Sequence, residues 1–511
     1  MAMRHPLRRQ TALAALVGGL LASHGVLAQD SMDDVLGGFD ELDNYDDVIA
    51  LDTDSKGFEQ KTWDPSGSLS LASSYNLKNH RSSTGTDYDG LSKLRLRLNL
   101  GLDGQFGEHW RSSFNVSAWH DFAYDLRDTT YTEAVIGEYE QVLDVQDAWI
   151  STRLGSNWDS KLGRQVVVWG FADNLRVLDV LNPLDNLEPG LADIEDLRLP
   201  VGMLRLDRYA GPWQASAILI GEQRFSRNPP IGSDFYSVTD GQGNAVSYRE
   251  IQPEDFEELD YAAALTGRFS GWDLSLTASR RWFDEPYLDA RAFDSSDRNA
   301  SQEDFERDAV LRHSRVNQFG YGVQITRGGW LFKHEAALID GLQLTSSSIL
   351  EDPLPLLNAL PIINALVPDG GQLLPTDVRE VRRYDMLLGL EYFGLAQTTL
   401  SVEFAARHIE DFDQDLAWSG YLEWRGESAV RMTRDFLNER LRLHLISVLF
   451  NRDGEIFSDS GGAIHRINAE YEFASALVVV AGAVFYQGGD QAPFNVSGDN
   501  DRVFAEIKWS F

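Results

Sequence analysis

The amino-acid sequence predicts an all-β protein, a closed antiparallel transmembrane β-barrel of 14–18 strands with short periplasmic turns and long extracellular loops. Three observations predict this fold. Apolar residues alternate with polar ones in long runs, the connections between the runs alternate between short and long, and tryptophan recurs at one position in four hairpins.

The alternation has a period of two residues, as in a β-strand whose successive side chains point to opposite faces. In the run 92–103, every second residue from Leu94 to Leu102 is leucine and the intervening residues are mostly charged or polar. A soluble β-sandwich would give the same alternation with its apolar face inward. The runs are about 10 residues long, however, which suits a tilted strand that crosses a bilayer, whereas soluble strands average ~5–6 residues.

Eighteen runs are predicted as strands, and an even number is expected of a barrel that leaves no open edge. They are 67–77, 92–103, 110–121, 142–154, 160–170, 201–210, 213–222, 261–269, 272–282, 316–327, 329–339, 381–393, 398–408, 416–426, 440–450, 463–473, 477–487 and 501–511. The tight connections, such as 104–109, 211–212 and 270–271, all fall on the side that holds both ends of the barrel. The long connections fall on the other side, as in outer-membrane barrels.

Aromatic residues mark the turn side of the predicted barrel. Trp110, Trp213, Trp272 and Trp330 each begin a strand directly after a tight turn, which predicts an interfacial girdle at the level of the lipid headgroups. Isolated tryptophans are more often core residues, but four at matched positions favour the girdle. The chain ends in Trp-Ser-Phe, and the terminal Phe511 resembles the signal that the barrel assembly machinery of the outer membrane reads.

The N-terminus has the layout of a Sec signal peptide over residues 1–28, with a basic start, an apolar run over 11–22 and small residues before a cut. That run is about 12 residues long, and a membrane-spanning helix needs ~20. Residues 29–66 are predicted to form an acidic periplasmic segment, and residues 67–511 the outer-membrane β-barrel. A short helix within the acidic segment could dock a periplasmic partner or the lumen; a solvated tail is the alternative.

Composition argues against several classes of function. The chain has no cysteine, which excludes a disulfide framework and a thiolate metal site. Its formal charge of −34 argues against nucleic acid as a partner, because nucleic acid requires a basic surface. There is no G-x-S-x-G and no H-E-x-x-H motif, and the 10 histidines are scattered. We therefore expect no enzyme activity, no cofactor and no metal site.

Charged residues on the polar face of the strands are candidates for a site in the lumen. Lys93, Arg95 and Arg97 form a basic row on one strand. Other candidates are Arg164, Arg205 with Asp207, Lys333 with Glu335, Glu403 with Arg407, and Arg466 with Glu470. A wide aqueous pore would use such charges as a selectivity field. The alternative is that opposite charges on neighbouring strands hold the wall of a narrow barrel together.

The connection 171–200 is the candidate constriction. Asp173 or the residue after it could cap a short helix that ends before the proline at position 183, with Arg176 and Asp179 on one face. A long loop folded into the barrel would narrow the pore and place these three charged residues in the path. A loop that lies on the rim is the alternative.

The connection 340–380 contains an apolar stretch, 353–367, whose exposure to water is costly. This stretch could cap a hydrophobic site, contact lipopolysaccharide, or pack on itself as a lid over the mouth of the barrel.

Several segments resemble a family of proteobacterial outer-membrane β-barrel proteins long catalogued as a domain of unknown function. They are 163–170 (GRQVVVWG), 172–176 (ADNLR), 179–183 (DVLNP), 203–207 (MLRLD), 401–409 (SVEFAARHI), 500–504 (NDRVF) and the terminal Phe511. Members of that family are often encoded beside inner-membrane transporters of the resistance-nodulation-division (RND) type and beside lipoprotein-sorting-like periplasmic proteins. The resemblance implies envelope transport in a Gram-negative bacterium.

We therefore expect an outer-membrane channel for the passage or export of hydrophobic or amphipathic small molecules or lipids. Its expected partners are outer-membrane lipid and lipopolysaccharide, the barrel assembly machinery, an RND-type transporter and a lipoprotein-sorting-like periplasmic protein. The alternative is a non-transporting scaffold, or a barrel enzyme, that serves envelope integrity.

Overall fold

The computed structural model describes residues 63–78, 80–238, 245–350, 372–452, 460–489 and 494–511. Within these residues the chain forms an 18-stranded sheet and a separate 3-stranded sheet. The predicted signal peptide 1–28, the acidic segment up to residue 62 and the apolar stretch 353–367 lie outside the described residues.

The strands are numbered in chain order. The small sheet consists of β8 (Arg249–Ile251), β11 (Tyr287–Asp289) and β12 (Val310–Arg312). The strands of the large sheet are β1 (Trp63–Asn76), β2 (Gly90–Phe106), β3 (Trp110–Asp121), β4 (Gln141–Arg153), β5 (Trp158–Gln165), β6 (Val201–Ala210), β7 (Trp213–Ile220), β9 (Asp260–Phe269), β10 (Trp272–Trp282), β13 (Arg315–Arg327), β14 (Trp330–Leu350), β15 (Gln372–Leu395), β16 (Thr398–Ile409), β17 (Trp424–Phe436), β18 (Leu441–Arg452), β19 (Gly462–Ala474), β20 (Leu477–Gln487) and β21 (Arg502–Ser510).

Short helices occupy the long connections. They are α1 (Ala123–Leu126), α2 (Glu133–Val135), which a π-helical turn (Ile136–Glu140) continues, α3 (Ile194–Leu197), α4 (Gln302–Asp308), α5 (Gln414–Trp418) and α6 (Phe494–Ser497). No helix in the described part of the chain is long and apolar enough to cross a membrane.

The large sheet closes on itself. Each strand pairs antiparallel with the next one in the sheet, and β21 pairs with β1 from Ser68 opposite Ser510 to Asn76 opposite Arg502. Two backbone hydrogen bonds of 2.8 Å between Gly67 and Phe511 extend this seam. The predicted closed antiparallel barrel is therefore confirmed, with 18 strands.

The wall of the barrel is apolar outside and largely polar inside. On β16, Leu400 and Val402 are each 37% exposed, whereas Ser401 and Glu403, which point to the opposite face, are buried. The same alternation leaves large apolar side chains exposed on most barrel strands. Because strand side chains alternate between faces, one period-two pattern gives both the outer surface and the polar lining.

The predicted strand 416–426 is wrong. Residues from Gln414 to Trp418 form α5, and β17 runs from Trp424 to Phe436 through the predicted connection 427–439. The first half of β17 holds small residues and one glutamate at consecutive buried positions, so its sequence carries no alternating apolar signal. A tight turn with positive φ at three residues, 437–439, joins β17 to β18.

The hairpin of β14 and β15 is longer than the predicted runs 329–339 and 381–393. Its strands extend to Leu350 and start at Gln372, with irregular register between Asp340 and Leu342 and again at Ser346. A β-bulge inserts one residue and shifts the alternation to the other face. The regular apolar alternation therefore ends at 339, although the strand continues. The barrel likewise begins at Trp63 rather than at 67.

Candidate functional site

Residues 166–200, called the internal segment below, run inside the barrel. β5 ends at Gln165, five residues before the predicted end, and β6 begins at Val201. Between these strands the segment contacts β14 through Gly170 and Glu335, and it contacts β2 through Glu188. β2 and β14 are nine strands apart in the 18-stranded order, so the segment spans the lumen from wall to wall.

Two buried carboxylates on the β14–β16 wall hold the first part of the segment. Glu403 accepts hydrogen bonds from the backbone amides of Asp173 (2.7 Å), Asn174 (2.8 Å) and Leu175 (3.0 Å). Glu335 accepts from three further amides of the segment, at positions 171, 172 and 178. Both carboxylates are at most 1% exposed, so they replace the water that these amides would otherwise bind.

The predicted short helix over 173–181 is wrong, because this backbone contains only bends. The reason lies in the tertiary structure. The backbone amides at this point donate to Glu335 and Glu403 of the wall instead of to carbonyl oxygens of a helix. The side chain of Asp173 forms an ion pair with Lys333 on β14.

The second part of the segment is held at the opposite wall by the predicted basic row. Lys93 Nζ lies 2.5 Å from a carboxylate oxygen of Glu188, and Arg95 lies 3.3 Å from the other. Arg95 also pairs with Asp121 on β3 at 3.3 Å. Arg97 contacts no carboxylate at ion-pair distance among the described residues; its guanidinium lies 4.8 Å from the ring of Trp119.

The predicted constriction charges Arg176 and Asp179 contact each other rather than open solvent. Arg176 Nε lies 3.2 Å from Asp179 Oδ2, and Arg198 Nε lies 2.8 Å from the same oxygen. Arg407 of β16 donates to the carbonyl oxygen of Arg176 at 3.2 Å and pairs with Glu427 of β17. The structure thus brings together Asp173, Arg176, Glu403 and Arg407 at one end of the segment.

Of the remaining lumen candidates, Arg466 of β19 pairs with Asp193 of the internal segment, whereas Arg205 and Arg164 pair within the wall. Arg205 pairs with Asp207 on its own strand at 2.8 Å. Arg164 forms an ion pair with Glu222, a residue just beyond the end of β7. These two pairs belong to the wall. The candidates that connect the wall to the internal segment are Lys93, Arg95, Lys333, Glu335, Glu403, Arg407 and Arg466.

Apolar packing fixes the middle of the segment. Trp169, Leu175, Leu178 and Leu181 are buried and pack with apolar residues on the inner face of the wall. The wall residues in this cluster are Val201, Met203, Ile218, Ile220, Ala262, Ala264, Ala337, Leu387, Ala405 and Ala429. Small alanines on the inner face therefore make room for the larger side chains of the segment.

The structure places Trp110, Trp213, Trp272 and Trp330 each at the first residue of its strand. Further aromatic residues lie on the same turn side. They include the pairs Trp63–Phe106 (5.0 Å), Phe269–Trp272 (4.3 Å), Trp330–Tyr392 (4.4 Å) and Trp509–Phe511 (4.9 Å) between ring centroids.

Several residues of the site escaped the sequence analysis. Glu188 lies in a long connection without periodicity, so nothing in the sequence marks it as the partner of β2. The side chain of Asn182 ties the two ends of the segment together, because it accepts a hydrogen bond from Val167 N (2.8 Å) and donates one to Leu199 O (2.9 Å).

One group of side chains at the rim has the composition of a cation site. Ligand atoms of His120, Asp125 and Glu140 lie within 4.8 Å of one another, and the described residues contain no other such group. His120 Nε2 is 2.8 Å from Asp125 Oδ2. This group lies where β3 and β4 meet their connecting loop, away from the internal segment.

The fold and the internal segment define this protein as a closed 18-stranded β-barrel with a peptide segment folded through its lumen. The chain belongs to the family described as "Protein of unknown function (DUF1302)", whose model matches residues 53–511.

Solved barrels cover most of the chain at low identity. OccAB1 of Acinetobacter baumannii is 10% identical, covering 90% of this chain and 98% of that one, with a TM-score of 0.46. OpdK of Pseudomonas aeruginosa, solved with vanillate, is 10% identical over 88% and 98%, with a TM-score of 0.45. The outer membrane channel DcaP of Acinetobacter baumannii is 13% identical over 89% and 100%, with a TM-score of 0.38. No curated protein sequence matches the chain.

Proposed function

We propose that this protein is an outer-membrane channel for the passage or export of hydrophobic or amphipathic small molecules or lipids, with the internal segment as its constriction. The observation that supports this proposal is that the segment spans the lumen between two walls. It is held by Glu335 and Glu403 at one wall and by Lys93 and Arg95 at the other.

The outer surface supports a location in the outer membrane of a Gram-negative bacterium. Exposed leucines, isoleucines, valines and aromatic residues would be costly in water on so many neighbouring strands. In a bilayer the same side chains face hydrocarbon, and the closed sheet leaves no backbone edge unpaired toward lipid along most of the wall.

Partners follow from the family resemblance in the sequence motifs. We propose that the channel works with an RND-type inner-membrane transporter and a lipoprotein-sorting-like periplasmic protein. In the membrane it would contact lipid and lipopolysaccharide, and Phe511 would present the signal for the barrel assembly machinery. Cross-linking in intact cells, followed by mass spectrometry, tests each of these partners.

Single-channel conductance in planar bilayers tests the constriction. Replacing residues 171–198 by a short Gly-Ser linker removes the part of the segment that crosses the lumen and leaves the ends of β5 and β6 intact. We expect conductance to rise several-fold, because the lumen of an 18-strand barrel without a plug is wide enough for an aqueous channel.

A matched control replaces the exposed residues 296–299 of an extracellular loop by glycine and serine, which should leave conductance unchanged. Liposome flux of a fluorescent fatty acid and of a hydrophilic dye then measures what the wild-type channel passes. A barrel that neither conducts nor moves either probe, with and without residues 171–198, would overturn the channel and favour a non-transporting scaffold.

A further inference from the structure

The wall of the barrel is uneven in height. β5 and β7 have 8 residues each and β6 has 10, whereas β14 has 21 and β15 has 24. At ~3.3 Å per residue and a tilt of about 40°, an eight-residue strand rises about 20 Å, which is less than the ~25 Å height of an outer-membrane apolar band. The wall is therefore lowest where β5, β6 and β7 meet.

One strand beside this low wall has an unpaired edge. β5 pairs with β4 from Ala148 opposite Arg164 down to Arg153 opposite Asp159, so residues 141–147 of β4 have no partner strand on the β5 side. Of these, residues 141–145 pair with β3, and 146–147 lie in an irregularity of that ladder. The cause is the internal segment, because the chain leaves the wall after Gln165. We call this gap, between residues 141–147 of β4 and the upper ends of β5, β6 and β7, the wall notch.

Apolar side chains border the wall notch on both sides. Leu143, within the unpaired stretch of β4, is 75% exposed. On the other side Phe256 is 74% exposed, and its amide donates to the carbonyl oxygen of Gly221, directly after β7, at 2.9 Å. These are the two most exposed large apolar side chains of the described residues. An apolar rim suits contact with lipid or with the apolar part of a ligand.

Side chains rather than backbone close the notch. Arg164 donates to the carbonyl oxygen of Val145 on the unpaired edge at 2.9 Å and pairs with Glu222. Arg224 pairs with Asp144 of the same edge at 3.0 Å. A strand ladder would fix this part of the wall with main-chain bonds, whereas these ion pairs can part and re-form through side-chain rotation.

A cavity lies directly behind these ion pairs. Glu222 and Arg224 line it from the notch side, and Leu181 and Val201 supply apolar surface. Arg281 of β10 lines it together with the carboxylates of Asp260 and Asp284. Arg281 is 5% exposed, donates to Gln318 Oε1 at 3.1 Å, and has no carboxylate within ion-pair distance among the described residues. Its Nε lacks a hydrogen-bond partner among the described residues, which leaves an unsatisfied buried donor on a residue that lines this cavity.

We propose that the wall notch is a lateral port, through which an amphipathic ligand passes between the lumen and the outer leaflet of the membrane. This inference rests on the proposed channel function and specifies its route and its ligand class. The apolar part of the ligand slides along the rim of Leu143 and Phe256. Its polar head exchanges hydrogen bonds with the arginines of the notch and then with Arg281.

Reversible closure of the notch tests the port. The chain has no cysteine, so Asp144→Cys together with Arg224→Cys gives the only two thiols. A bis-methanethiosulfonate linker joins them, and a reductant releases them. With a fluorescent fatty acid as the probe in proteoliposomes, we expect cross-linking to lower flux roughly tenfold and reduction to restore it, as for a gate that must open for each passage. Ionic conductance along the axis should not change.

The control pair is Asn317→Cys with Asp340→Cys, which are register partners at the end of the ladder between β13 and β14. Linking them should not alter fatty-acid flux. If the linked and the reduced forms of the notch variant carry the fatty acid equally, the proposal of a lateral port is wrong, whereas the proposed channel function is not affected. If the wild-type protein moves no fatty acid and carries no current, the channel itself fails, and the two failures are thus distinguishable.

Discussion

Glu335 and Glu403 in the wall of this barrel bind backbone amides of the internal segment, and neither forms an ion pair within the described residues. Glu403 is fully buried and accepts hydrogen bonds from three backbone amides, although the charge of Lys333 also acts on it. A buried carboxylate with several amide donors is well solvated by the protein. Its removal leaves several donors unpaired at once, which is costlier than the loss of one ion pair on a surface.

We expect Glu403→Ala to destabilise the internal segment by about 2–4 kcal/mol, because three buried amides lose their acceptor. The measurement is limited proteolysis within residues 166–200, together with the conductance of single channels, and both should increase. Glu391→Gln is the matched control, because Glu391 lies on neighbouring β15 and pairs with Lys333 at 3.4 Å without binding the segment. Equal protection of the segment in Glu403→Ala and wild type would contradict this role.

Two arginines of the basic row on β2, Arg95 and Arg97, have different surroundings and therefore different expected roles. Arg95 is buried between Glu188 and Asp121, whereas Arg97 lies over Trp119 without an acidic partner at ion-pair distance in the described structure. We expect Arg97→Glu to shift the reversal potential in a salt gradient toward cation selectivity, because an unpaired charge acts on ions in the lumen.

Arg95→Glu should instead lower the temperature at which the folded band is lost in gels, because it places three acids together and releases Glu188. Selectivity that does not change in Arg97→Glu would assign Arg97 to wall structure as well.

At the scale of elements, the most important feature is that the chain leaves the wall after β5 and enters the lumen. Gly163 has φ +125°, and a Cβ built there would lie 2.1 Å from the carbonyl oxygen of Ala148 on β4. Only glycine allows this approach, so the pairing of the end of β5 with β4 depends on it. The same departure gives both the internal segment and the unpaired edge of β4.

We expect Gly163→Ala to destabilise the barrel by about 2–4 kcal/mol, because the Cβ clashes with backbone and the positive φ is strained. Gly155→Ala is the control: Gly155 also has positive φ (+82°), but a Cβ there meets nothing within 4 Å. Heat modifiability in gels measures both variants, with the larger shift expected for Gly163→Ala. Equal shifts would show that strain alone, and not the contact with β4, matters.

At the scale of the whole molecule, closure depends on the last strand. Phe511 exchanges two backbone hydrogen bonds with Gly67, and its ring occupies the space beside that glycine. A barrel whose first and last strands do not meet would present two open edges to lipid, which a bilayer does not satisfy.

Deletion of Phe511 is expected to reduce the yield of folded barrel in the membrane several-fold, because the seam loses two hydrogen bonds and the terminal residue that resembles an assembly signal. Phe473→Ala is the control, since Phe473 is an exposed aromatic residue near the end of β19, a strand that pairs with neither β21 nor β1. The fraction that resists unfolding in cold gels measures assembly. An unchanged fraction after the deletion would remove Phe511 from assembly.

The sequence alone determined the closed barrel, a strand number within 14–18 and the side of the tight turns, because each follows from period-two alternation and loop length along the chain. The sequence did not predict β17, because the first half of that strand holds small and polar side chains at consecutive buried positions. It also did not predict the full length of β14, because the bulges move the apolar side chains to the other face of the strand. Only the tertiary structure decided how the lumen is used. The contacts of Glu335, Glu403, Lys93 and Arg95 with the internal segment join residues far apart in the chain, and no local pattern encodes such distances. The wall notch is of the same kind, since it exists only because a segment of chain turned inward instead of continuing the wall.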